Sequence, residues 1–345
     1  MKKLTPIKSL KDFKRQLKDL PLLDLNAKKL AKTRDQNLTK PPGSLGRLED
    51  IVFWLSSWQG KYPPTLCNPS AKIFAGNHGV AHKGISAYPP EVTQQMVQNF
   101  YAGGAAVNQI CKTFGVELQI FPIKLEEPTK DFTEVSAMSE PEFLESINIG
   151  LMSVKKEADI LCLGEMGIGN SSAAAAICTA LFDKPAAYWT GLGTGLNKKA
   201  HQKKIKIVET AVNHHKPMIN GGLDALRRLG GRELSAIAGA ILGARLLRVP
   251  VLLDGFICSS AAATLEKTEK GALDHCIIAH KSSEAGHKHL LKELKKTPLL
   301  DLQMRLGEAS GAVLGVGILQ AAVNCHNDML TFKEANVSGK DSQII

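Results

Sequence analysis

The chain has 345 residues, enough to bury a sizeable core as one large domain or as a large domain with a small one. Hydrophobic residues at 44% and charged residues at 22% sit near globular averages, which excludes wholesale disorder, and no apolar run reaches the roughly 18 residues that cross a bilayer. The net charge of +10 suggests nucleic acid, yet residues 1–40 hold 12 Lys and Arg against 4 Asp and Glu, so one segment supplies +8 of it.

That segment reads as a helix, with Leu10, Phe13, Leu17 and Leu20 at helical spacing. Its lysines are expected on a solvated outer face, and with no aromatic-rich or recognised binding motif beside them no nucleic-acid partner is expected. The N-terminus has neither an apolar core nor a small-residue cleavage site, so the expectation is a cytoplasmic protein with no signal peptide and no membrane partner. Next, Lys40-Pro41-Pro42-Gly43-Ser44-Leu45-Gly46-Arg47 breaks the preceding helix and opens an amphipathic one through Trp58, with Ser44 the expected N-cap.

From about residue 71 short apolar runs alternate with helical stretches. Strands are expected at 71–75, 116–123, 160–163, 251–253 and 276–279, and helices include 91–101, 104–114, 171–182, 198–215 and 232–247. Such alternation predicts an α/β fold with a parallel sheet covered by helices. Seven scattered cysteines without a C-x-x-C pair read as reduced, mostly buried thiols. Four strands run into polar or glycine-rich loops: Gly76-Asn77-His78-Gly79, residues 164–170, Asp254-Gly255, and His280-Lys281-Ser282-Ser283-Glu284. Ligands of open α/β sheets bind at the carboxyl ends of strands, so these loops predict a site.

The 164–170 loop, with Asn170 or a following Ser as its expected N-cap, would place glycine N–H groups and a helix N-terminus around an anion; the glycines also suit a plain tight turn. A second cluster, Gly191-Leu192-Gly193-Thr194-Gly195, opens a helix carrying Lys203 and Lys204, which read either as a cation behind a phosphate cradle or as a solvated face. In Met304-Arg305-Leu306-Gly307-Glu308-Ala309-Ser310-Gly311, a carboxylate precedes an almost purely apolar helix from 312 to 323. Burial there would raise its pKa toward values useful for proton transfer; the other reading is a helix-capping glutamate. His287 and His289 lie on a lysine-bearing amphipathic stretch, and no zinc spacing, acidic metal cluster or G-x-S-x-G elbow occurs. The expected reaction needs no metal, no cofactor and no covalent nucleophile.

The sequence resembles the nicotinate-nucleotide–dimethylbenzimidazole phosphoribosyltransferase (CobT) family. The likeness runs in order through residues 38–49, with Lys40-Pro41-Pro42-Gly43-Ser44-Leu45-Gly46-Arg47, 74–80, with Gly76-Asn77-His78-Gly79, 86–93, Gly103-Gly104-Ala105-Ala106, 164–170, Gly193-Thr194-Gly195, 250–256, 280–286 and 298–311. It implies a Rossmann-like parallel sheet flanked by helices, a smaller helical domain from both chain ends, and a homodimer. The expected division is 1–70 for the N-terminal part of the small domain, 71–300 for the large α/β domain and 301–345 for the segment that carries Glu308 and completes the small domain. The implied reaction moves the phosphoribosyl group of nicotinate mononucleotide to 5,6-dimethylbenzimidazole, giving α-ribazole 5′-phosphate and nicotinate. Another base, adenine or a phenolic, or a non-catalytic nucleotide-binding regulator, are the alternatives.

By motif, the resemblance gives Glu308 the role of base. Glu165 and Lys204 would line the donor side, and Gly167, Gly193, Thr194, Gly195 and Ser282 would hold the ribose phosphate, largely through backbone N–H groups. Ser86, Gln94, Met166 and Leu306 would contact the flat acceptor. Leu192 departs from the Arg common in the family's G-R-G-T-G run, and Ser171-Ser172 from its Thr-Thr.

Overall fold

The apolar runs become the strands of one five-stranded sheet in the computed structural model, which describes residues 4–193 and 195–339. In chain order the elements are α1 (Leu10–Lys18), α2 (Leu25–Asp35), α3 (Arg47–Gln59), β1 (Pro69–Ala75), α4 (Val92–Tyr101), α5 (Ala106–Phe114) and β2 (Glu117–Pro122). Then come α6 (Glu140–Ser153), β3 (Ile160–Met166), α7 (Asn170–Phe182), α8 (Ala186–Trp189), α9 (Lys198–His215), α10 (Gly222–Leu229) and α11 (Arg232–Leu247). The rest are β4 (Val251–Leu253), α12 (Phe256–Thr268), β5 (Cys276–Ile278), α13 (Ala285–Glu293) and α14 (Ser310–Asp328).

All pairings are parallel, in the order β2-β1-β3-β4-β5. The order reverses between β1 and β3, which makes their carboxyl ends the crevice where such sheets take ligands. Register pairs Ala75 with Met166 and Leu253 with both Leu163 and Ile278, so the loops after β1, β3, β4 and β5 leave from one edge. β1 is buried throughout, as expected for a parallel strand covered on both faces, whereas edge strand β2 is only half-buried. Helices flank the sheet: α11 packs on β1 and β3, α12 on β3, and α4 on β2. Between α6 and α11 the backbones touch, because a Cβ at Gly150 would overlap the Ala236 carbonyl and one at Gly239 the Ile147 carbonyl.

The contacts divide the chain into two compact units. The larger comprises the described residues through Pro21 together with Asn68–Gly315, and it contains the sheet. Residues 4–21 and 301–315, grouped by sequence with the small part, cluster here with the sheet. Asn148 accepts from Ile7 N–H and donates back to Ile7 O, and Phe13 and Leu17 lie in the core while the lysines of α1 face outward. The smaller unit, 22–67 with residues from Val316 onward, is helical. In it Lys40 Nζ is buried between Asp35 at 3.0 Å and Glu49 at 2.8 Å. None of the described helices is long and apolar enough to cross a membrane.

Two cap assignments change. α3 starts after Gly46, whose φ of +53° is easy only for glycine, so Ser44 is not its N-cap. Gly169, at φ +103°, caps α7 in the same way, and Asn170 stands inside the first turn with its side chain committed elsewhere.

Candidate active site

A cavity of about 800 Å3 opens at the strand ends of the larger unit. Of the residues expected in the site, Glu165, Met166, Gly167, Gly193, Ser282, Leu306 and Glu308 line it together. Lys204 stands behind the lining: it is 1% exposed and Nζ donates to Oγ of the lining residue Ser171 at 2.8 Å. Ser86 and Gln94 are outside the lining; Ser86 Oγ accepts from Tyr88 N–H, and α4 turns Val92 and Met96 inward while Gln94 is exposed. Gly195 is also outside it, and Thr194 falls outside the described residues.

Glu308 sits on a turn in which Gly307, Glu308 and Ala309 have φ of +86°, +62° and +61°. For the latter two residues this left-handed geometry costs roughly 1–2 kcal/mol each. The turn lies directly on β3, where a Cβ at Gly164 would overlap Ala309 N; only glycine allows that approach. The Glu308 side chain is thereby held in the cavity wall at 6% exposure. Burial first, and the Asp254 charge second, push its carboxyl up to about 7. A group with that affinity exchanges a proton readily near neutrality.

Glu165 is raised well above the ordinary carboxylate value, mainly by burial and then by the charges of Asp254, Glu233 and Glu308. Its Oε2 accepts from Asn170 Nδ2, which explains why Asn170 does not cap the helix. Lys204 is lowered to about 8 by burial, opposed by the charge of Glu284, and remains largely cationic at pH 7. The nearest guanidinium to the glycine loop is that of Arg305, whose Nη1 donates to Gly193 O at 2.9 Å, while Leu192 is half-exposed.

The Ser282 loop departs from expectation. Burial lowers His287 to about 3, so its ring is neutral; Nδ1 accepts from Ser282 N–H at 2.9 Å, and Nε2 faces Ser259 Oγ at 3.1 Å. The backbone N–H of Ser282 is thus taken, and its hydroxyl, which accepts from Glu284 N–H at 3.2 Å, keeps its proton for a ligand. His289 instead stacks on Tyr188 with centroids 3.6 Å apart, so the two histidines do not converge. Below the 164–170 loop, His78 Nε2 meets Glu233 Oε1 at 2.6 Å, both side chains fully buried. Sequence reasoning gave no role to Asp254, Glu233, His280 or Glu284. Their one signal is position, since all but Glu233 lie in the loops that leave strand ends.

Comparison with known proteins covers most of the chain. A family profile described as Phosphoribosyltransferase matches residues 20–337. The chain belongs to this phosphoribosyltransferase family. It is 52% identical over 93% of its length to the nicotinate-nucleotide–dimethylbenzimidazole phosphoribosyltransferase of Methylocella silvestris, covering 94% of that protein. To the enzyme of the same name from Rhizobium etli it is 51% identical, over 95% of this chain and 97% of that one. The crystal structure of CobT from Thermus thermophilus superposes with a TM-score of 0.84 at 36% identity, covering 91% of this chain and all of that one (100%). The phosphoribosyltransferase match spans every described lining residue of the cavity.

Proposed function

We propose that the chain transfers the phosphoribosyl group of nicotinate mononucleotide to 5,6-dimethylbenzimidazole, yielding α-ribazole 5′-phosphate and nicotinate for the lower ligand of cobalamin. The observation that carries this reading is Glu308, a nine-tenths buried carboxyl held near 7 in the wall of the strand-end cavity. Identity of about half the sequence to enzymes named for this reaction supports it.

The donor's nicotinate is already a pyridinium, so it leaves with the electrons of the C1′–N bond and needs no proton. The ribose then resembles an oxocarbenium ion, which the ionised Glu308 carboxylate in the same cavity wall favours over a neutral state. One acceptor nitrogen forms the new C1′–N bond on the opposite face, inverting β to α. Positive charge grows on the acceptor ring, and its other nitrogen gives its proton to Glu308. Lys204, behind Ser171 and Gly193, supplies a fixed positive charge for the donor phosphate, with the α7 N-terminus adding its partial charge. Gly167, Gly193, Thr194, Gly195 and the Ser282 hydroxyl are assigned to the same phosphate, and Glu165 to the donor side. Met166 and Leu306 would flank the acceptor, and Ser86 and Gln94, outside the lining, are assigned to it by motif alone.

Three methionines, Met96, Met166 and Met304, line the cavity. Such flexible, polarizable walls favour a second reading in which adenine or a phenolic replaces the benzimidazole. Incubation with nicotinate mononucleotide and a panel of bases, followed by mass spectrometry, tests both: α-ribazole 5′-phosphate is expected, and no product with any base would overturn the enzyme reading. The same reading carries a homodimer at work in the cytoplasm; a monomer mass by light scattering would remove the dimer.

A further inference from the structure

Asp254 follows β4 directly, and its side chain is completely buried. Its Oδ1 accepts from Ala312 N–H at 3.0 Å and lies 3.3 Å from His280 Nε2, while Oδ2 has no partner. Ala312 lies in the first turn of α14, where N–H groups have no partner within the helix, so the carboxylate caps α14 from another strand end. The turn carrying Glu308 immediately precedes this helix. Locally it is held by Ser310, whose N–H and hydroxyl both donate to Gly307 O. The His280 ring fills the space where a side chain at 311 would stand, closing the other side of the joint.

We propose that Asp254 is a positioning residue for Glu308: it fastens the strained turn to β4 through Ala312 N–H and sets a second carboxylate charge beside the base. The inference rests on the base role given to Glu308 above. The titratable groups facing this pair are Glu165 from β3, Glu233 from α11, His280 after β5, and the thiols of Cys162 and Cys258. Burial raises the proton affinity of Glu165 and of both thiols, and Glu233 is engaged with His78. Asp254 is accordingly the neighbour whose charge raises Glu308's proton affinity. It both aims the base and adds to the rise in proton affinity that burial gives its carboxyl.

Asp254→Asn separates the two contributions, because an amide oxygen still accepts from Ala312 N–H but carries no charge. The test follows the Glu308 carboxyl by NMR in the full chain with 13C-labelled glutamate, assigned by the signal missing in Glu308→Gln. The midpoint is expected to fall by about 0.5–1 pH unit in Asp254→Asn, and the acid limb of kcat/KM to move down with it. Asp254→Ala, which also releases Ala312, is expected to lower kcat by at least about tenfold at a pH where Glu308 is ionised. Asp254→Ser provides the uncharged side chain should the amide not fold. An unmoved Glu308 midpoint in the uncharged variants overturns the proposal. Because the NMR titration needs no turnover, it is decided even if the native chain makes no α-ribazole 5′-phosphate, a result that would count against the proposed reaction alone.

Discussion

The loop between β3 and α7 and the turn before α14 both deliver the chain to a helix N-terminus at the same edge of the sheet, with contrasting backbone chemistry. The first puts its left-handed residue at Gly169, where the conformation carries no steric cost. The second puts Glu308 and Ala309 in that conformation, where it does. The glycine loop is suited to exposing backbone to a ligand. The strained turn aims one side chain, and the burial and tethering around it maintain the strain. Binding and proton transfer thus sit on neighbouring segments that solve different physical problems.

The largest test of this contrast is Glu308→Gln, which keeps shape and removes the base. Turnover is expected to fall by about 10²–10⁴-fold with both substrates still bound, measured by steady-state kinetics and calorimetry; turnover within threefold of native would take the base role away from the turn. In the native enzyme kcat/KM should rise with pH through about 7, as Glu308 loses its proton and becomes able to accept one.

The same substitution should stabilise the fold. Glu308's folded pKa of about 7 exceeds its ordinary 4.5, so its protonated form favours folding below 4.5 and that contribution is lost as pH rises through 7. The stability gap between Glu308→Gln and native should open across that window to roughly 2–3 kcal/mol, read from urea unfolding at pH 4.5 and pH 8. Gly164→Ala forces a methyl into Ala309 and should destabilise by about 1–3 kcal/mol while reducing turnover. Ala309→Gly relieves one left-handed residue and should stabilise by up to about 1 kcal/mol, the smallest effect; a loss of stability would mean the turn is not strained at that position.

The sheet was legible in the sequence because parallel strands buried on both faces are uninterrupted apolar runs, as in Ile160-Leu161-Cys162-Leu163. Helices without an alternating face were harder to read. α12 mixes small and polar residues, Ser259, Ser260 and Thr264 among them, on a helix buried over most of its length, and α6 carries Pro141 in its first turn, where proline suits a helix although it resembles a break. Glu308 stood out as a charge before an apolar helix. Asp254 did not, because its partners Ala312 and His280 are distant in sequence and meet it only when β4, β5 and α14 converge. The Asn170 side chain was misread for a similar reason: its bond to Glu165 depends on the curl of a loop, which glycine spacing alone does not specify.

The seam between α6 and α11, where backbone meets backbone at Gly150 and Gly239, gives the molecule a tolerance problem far from any substrate. α11 begins with the residue pair Arg232-Glu233, and Glu233 holds His78 beneath the glycine loop. A methyl group in the seam leaves no flexible side chain to absorb the error, so the displacement is passed along a rigid helix to its end. Damage from mutations there would look catalytic in an assay although no altered atom comes near the ribose.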